Sequence, residues 1–160
     1  IHIVRNPYDV IRSQQRVKFP WLYDLSYFQN QKNLVALIQE NFNFDLSDKR
    51  NYDRVEKLAL RWCVENMIPL KVQKPKQYKS QLIKHEDLRN DINVYLELCK
   101  NFDIEPINIE KQYKRPSTKA HPDSAVRVSG HETQKLERDE LKKINSILDQ
   151  FEVELYERRG

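Results

Sequence analysis

The sequence predicts an α/β domain that is rich in helix and has few, parallel strands. Two observations carry this expectation. An apolar run suited to a buried strand gives way directly to a helix start, first over Ile1 to Ser13 and again over Tyr78 to Leu88. Between and after these junctions apolar residues recur at three and four positions, the spacing of helices that bury one face. Repeated strand-then-helix order favours α/β over an all-helical bundle. At 160 residues the chain is long enough for one domain with a proper core, residues 1–160, and shows no repeat or convincing internal boundary.

The opening stretch organises the rest. Ile1, Ile3 and Val4 are β-branched and suit a strand. Asn6 is a good N-cap, Pro7 lacks only an N–H that a first helical residue leaves unpaired, and Asp9 favours the positive end of a helix. Arg5 then falls at the carboxyl end of a strand, where open α/β sheets bind ligands and helix N-termini suit anions. Ser13, eight positions after Arg5, offers a hydroxyl to the same anion. The local chemistry points to a phosphate site.

Pro7 to about Val17 is expected to be helical, with Val10, Ile11 and Val17 as its apolar stripe and Pro20 as its end. Trp21, Tyr23, Tyr27 and Phe28 crowd the next segment, either as a helix start packed on the core or as the wall of a substrate or cofactor cleft. Leu34, Val35, Leu37, Ile38 and Phe42 have helical spacing, and a polar loop with Asp45, Asp48 and Asn51 follows. Tyr52 to Val72 gives the longest helix signal, with Pro69 expected to end or kink it. After a basic linker, Leu82 and Ile83 centre the second strand. Leu88, Ile92, Tyr95, Leu96, Cys99 and Phe102 read as one amphipathic helix, and Leu136 to Leu155 as a terminal one. Tyr113 to Thr133 has no periodicity and reads as a long basic, hydroxyl-rich loop.

Composition excludes some functions. Gly130 and Gly160 are the only glycines, so neither a GxxxxGK[ST] nor a GxGxxG loop exists in this sequence. The net charge of +4 reads as solvated surface or as attraction for anionic ligands, and no arginine-rich block or zinc-finger spacing points to nucleic acid. Cys63 and Cys99 sit in apolar helical segments and are expected to be free core thiols. His2, His85, His121 and His131 read as structural or exposed, and His121 and His131 have no cysteine or carboxylate set that would make a metal site. With no signal peptide, sequon or long apolar run, a cytoplasmic chain without a membrane segment is expected.

Taken together, I-H-I-V-R-N-P-Y-D-V-I-R-S at the start, R-W-C-V-E-N-M-I-P-L-K at Arg61 and Q-L-I-K-H-E-D-L at Gln81 resemble the sulfotransferases that use 3′-phosphoadenosine 5′-phosphosulfate (PAPS). The resemblance implies a P-loop NTPase-like sulfotransferase fold, of which this chain is the helix-rich C-terminal portion. It implies that Arg5 and Ser13 bind the 3′-phosphate. The family's Tyr near the adenine is replaced here by His85, which leaves stacking possible in kind. R-P-S-T-K-A-H-P-D-S-A-V-R-V-S-G is similar to the closing loop of the protein-tyrosine sulfotransferase branch, and implies phosphate contacts from Ser117 and Arg127, against the alternative of a solvated connector.

In that family the 5′-phosphosulfate loop, with its glycine and lysine, and the general base precede the strand that opens this chain. An N-terminally incomplete domain is therefore expected, opening on Ile1 in mid-strand. The implied reaction transfers a sulfuryl group from PAPS to a hydroxyl or amine acceptor and leaves adenosine 3′,5′-bisphosphate (PAP), largely by positioning and charge stabilisation. This chain would hold the leaving nucleotide, and none of its residues stands out as the general base. Two other readings stay open: a catalytically inactive nucleotide-binding or interaction domain of the same fold, and a nucleotide kinase relative, which would need a glycine-rich loop.

Overall fold

The computed structural model describes residues 1–16, 19–48, 50–72, 79–107 and 135–160. Most of these residues are helical, and a short two-stranded parallel sheet accompanies the helices, an arrangement compatible with the α/β class. The chain divides into two compact units: Ile1–Asn6 with Lys74–Glu132, and Pro7–Gln73 with Thr133–Gly160.

The first unit holds the sheet. Strand β1 (His2–Val4) pairs in parallel with β2 (Leu82–Lys84), in the register His2 to Leu82, Ile3 to Ile83 and Val4 to Lys84. The His2 N–H extends the ladder to the Gln81 carbonyl at 2.9 Å. Val4 and Ile83 are buried, while Ile3 and Leu82 are exposed. Helix α5 (His85–Asn90) follows β2 without a loop, and α6 (Ile92–Asn101) follows α5. One amphipathic helix was the expectation from Leu88 to Phe102; the structure breaks it at Asp91. That residue is extended, and its carboxylate accepts the Asn93 N–H at 2.9 Å, so it caps α6 rather than continuing α5.

The second unit contains the larger core. Helix α1 (Pro7–Arg16) buries Pro7, Tyr8 and Ile11, with Val10 half-buried beside them. The aromatic segment resolves into a 3₁₀ turn over Pro20–Tyr23 and a short helix α2 (Ser26–Gln29). Leu22 and Phe28 are core residues, whereas Trp21 and Tyr27 are exposed. Helix α3 (Lys32–Phe42) buries Ile38 and Phe42, and even the polar loop after it contributes Phe44 and Leu46 to the core.

Helix α4 (Arg54–Val72) is the axis of this unit and packs against α1 and against the last helix, α7 (Arg138–Gln150). Along its middle, Leu58, Ala59, Leu60, Trp62, Cys63 and Val64 are all buried, so the helix is covered almost all round. Pro69 does not end it. The helix continues to Val72, because Ile68 and Met67 are already packed and the proline lies in the final turns, where one lost hydrogen bond costs least.

The terminal helix stops at Gln150, short of the expected Leu155. Glu152 takes a left-handed conformation (φ 49°), its N–H reaches the Asp149 carbonyl at 3.0 Å, and the Val153 N–H reaches the Leu148 carbonyl at 3.0 Å. This is a Schellman ending, with buried Val153 and Leu148 as its hydrophobic contact. Phe151 then meets Phe42 and Phe44 with ring centroids 4.9 and 5.1 Å apart, and fully burying such a ring is worth roughly 1.5–3 kcal/mol.

Candidate functional site

In the first unit the parallel pairing puts the carboxyl ends of β1 and β2 at one edge. The register ends on Val4 and Lys84, so the next residues, Arg5 and His85, emerge side by side along the chain direction. Arg5 is exposed, and His85 is half-buried as the first residue of α5. The guanidinium is permanently charged and presents paired N–H donors, which suits a phosphate.

One residue further on, the Asn6 backbone N–H donates to the Glu86 carboxylate (Oε1) at 2.8 Å. Glu86 is half-buried in the first turn of α5. A charge-assisted bond from a carboxylate to a backbone N–H ties the chain leaving β1 to the helix leaving β2. The sequence marks Glu86 only as a helix-start or buried structural carboxylate. Its partner is invisible there, because the two residues lie eighty positions apart.

Behind the edge, His2 sits on β1 with its Nε2 buried and without a hydrogen-bond partner among the described residues. Burial holds its imidazole below the usual histidine range.

Ser13 lies exposed on α1 and belongs to the second unit, whereas Arg5 and His85 belong to the first. Ser117 and Arg127, together with His121 and His131, fall outside the described residues. The structure therefore brings Arg5 and His85 to a common edge and adds Glu86 behind them. Among the described residues, no three histidine, cysteine or carboxylate side chains group as metal ligands would, and no helix is long and apolar enough to cross a membrane.

Cys63 and Cys99 are both buried free thiols, as their apolar surroundings in the sequence suggest. Burial drives the Cys63 thiol far above its ordinary range, which removes it as a nucleophile. Comparison of the chain with family models, with curated proteins and with solved structures found no match.

Proposed function

We propose that this chain is the 3′-phosphate-binding part of a PAPS-dependent sulfotransferase domain with a P-loop-like fold. The observation that carries the reading is the parallel β1–β2 pair, which brings Arg5 and His85 to one carboxyl edge. Ligands of open α/β sheets bind outside that end of the strands. An exposed arginine there fits a phosphate monoester, and a half-buried imidazole beside it offers a flat face to a purine ring. Ser13 and the pair Ser117 and Arg127 enter the reading from the sequence resemblance alone.

In this reading Arg5 holds the 3′-phosphate through two N–H donors, and Glu86 keeps the backbone after Arg5 in place by accepting the Asn6 N–H. When bound, PAPS supplies an activated sulfuryl group for in-line attack by an acceptor hydroxyl or amine. The residues of this chain act on the leaving half of that nucleotide: they orient it and offset its charge, and such positioning lowers the barrier without proton transfer.

Calorimetry with PAP tests the site, with 5′-AMP as the ligand lacking the 3′-phosphate. PAP is expected to bind saturably and more tightly than 5′-AMP, and Arg5→Ala to remove about 2 kcal/mol, some thirtyfold in affinity. Equal binding of PAP by wild type and Arg5→Ala would remove Arg5 from the site. Preference for a nucleoside triphosphate with magnesium would point to a kinase relative instead. Sulfuryl transfer to an acceptor separates the enzyme from the inactive domain.

A further inference from the structure

A cleft of about 470 Å³ opens within the second unit, and none of the residues assigned above lines it. Its walls come from three separate stretches of the chain. Arg12, Gln15 and Arg16 line it from α1, Asp53 and Arg54 from the start of α4, and Lys135, Glu140 and Lys143 from α7 and the residues before it. Five cations thus face two carboxylates.

Both carboxylates are already engaged. Asp53 receives Lys143 Nζ at 2.6 Å and the N–H groups of Val55 and Glu56 at 2.9 Å each. Glu140 receives Gln15 Nε2 at 2.7 Å on one oxygen and the Glu137 N–H at 2.9 Å on the other. Lys143 is neutralised by Asp53, and Arg12 lies 3.5 Å from Asp9.

The other cations are differently placed. Arg54 rests its guanidinium on the Tyr23 ring, 4.3 Å from the centroid, which orients the group without cancelling its charge. Arg16 and Lys135 have no carboxylate partner among the described residues. A neighbouring hollow of about 390 Å³ shares Arg12 and Lys135 and adds Arg159, which is paired with Asp9 at 3.1 Å. Gathering like charges from distant stretches into one concavity opposes folding, and a bound anion offsets it. The volume lies in the range of small-molecule sites, and it suits a compact ligand better than an extended polymer.

We propose that this cleft binds a compact organic anion carrying two or more phosphate or sulfate groups, held chiefly by Arg16, Arg54 and Lys135. Guanidinium groups grip such oxyanions in pairs of parallel hydrogen bonds, Lys135 adds a point charge at the rim, and Gln15 lies within the same wall. The site is independent of the nucleotide reading for Arg5.

Calorimetry on the whole chain tests it, with inorganic tripolyphosphate and sucrose octasulfate as probes. At least one probe is expected to bind saturably and to weaken as salt is raised. Arg16→Ala with Arg54→Ala should weaken it about tenfold or more, and Gln15→Glu, which adds a carboxylate to the wall, should weaken it as well. Arg5→Ala should leave probe binding intact, and the double variant should leave PAP binding intact. A preference for tripolyphosphate identifies a phosphorylated ligand, a preference for sucrose octasulfate a sulfated one. Absence of saturable binding of both probes overturns the proposal. So does equal affinity in wild type and in both cleft variants, or loss of probe binding on Arg5→Ala. Circular dichroism melting of each variant establishes that it is folded, and Gln15→Glu decides the question if the double variant is not.

Discussion

The backbone N–H of Asn6 and the carboxylate of Glu86 meet at 2.8 Å, so the residue that follows Arg5 is fixed by the residue that follows His85. Neither side chain touches a ligand in the proposed site, yet this bond sets where the chain can go after the strand ends. Glu86→Ala leaves the Asn6 N–H without that acceptor and is expected to cost about 1–3 kcal/mol in urea unfolding. Glu86→Gln keeps an oxygen acceptor and should recover much of the loss. If Glu86 positions Arg5, PAP affinity follows the same order, with Gln close to wild type and Ala weaker; equal PAP binding by all three would limit Glu86 to stability.

Asp53 starts α4 with a reciprocal pair: its carboxylate accepts the Val55 and Glu56 N–H groups, and Glu56 accepts the Asp53 N–H at 2.9 Å. Burial pushes the Asp53 carboxyl upward, but the Glu56 and Val55 N–H groups together with Lys143 outweigh it and hold it below its ordinary value of 3.8. A carboxyl with a lowered folded pKa stabilises fully above its unfolded value and loses that contribution as pH falls through the folded one. Asp53→Ala should therefore cost about 0.5–2 kcal/mol at pH 7. The gap to wild type should narrow as pH drops below 3.8, a trend that chemical denaturation at several pH values would record. A gap independent of pH would mean that the carboxylate's charge contributes nothing.

Cys63 and Cys99 should both resist thiol reagents in the native state. Each is buried, and the raised Cys63 pKa removes the thiolate that such reagents need. With an aromatic disulfide reagent at neutral pH, labelling is expected to follow global unfolding and to accelerate with urea. Prompt modification of either cysteine without denaturant would contradict the packing around it.

Glu152 holds a left-handed conformation that a side chain with a Cβ adopts only at a cost. Its ion pair with Lys71, at 3.0 Å, is exposed and contributes little. Glu152→Gly is accordingly expected to raise stability by up to about 1 kcal/mol, read as a higher urea midpoint with an unchanged slope. A lower midpoint would show that the Lys71 pair matters more than the backbone strain.

These elements also show what the sequence can and cannot disclose. The start of α1 was legible at Pro7 and Asp9 because cap chemistry is local, and α4 was legible because Val55, Leu58, Trp62 and Cys63 repeat at helical spacing. Helix ends were harder. The usual glycine signal is missing: the left-handed residues that follow α6 and α7 are Asp103 (φ 53°) and Glu152, with no glycine to announce either stop. The break at Asp91 was hidden by an apolar stripe that runs through it, since Leu88 and Ile92 keep helical spacing across the cap. Arg5 could be read at the end of a strand, but neither its place beside His85 nor the Asn6–Glu86 bond could. The five cations of the cleft, spread from Arg12 to Lys143, form no cluster until α1, α4 and α7 are packed.

The pairing of Ile3 with Ile83 has a consequence in time. A ribosome adds about 5–20 residues per second, so β1 leaves the exit tunnel roughly 4–16 s before its partner strand does. Over that interval His2 to Val4 cannot pair with Leu82 to Lys84, and the edge bearing Arg5 has not been made. The edge bearing Arg5 is thus completed by the later strand, and anything that captures Ile1 to Val4 during synthesis competes directly with the creation of that edge.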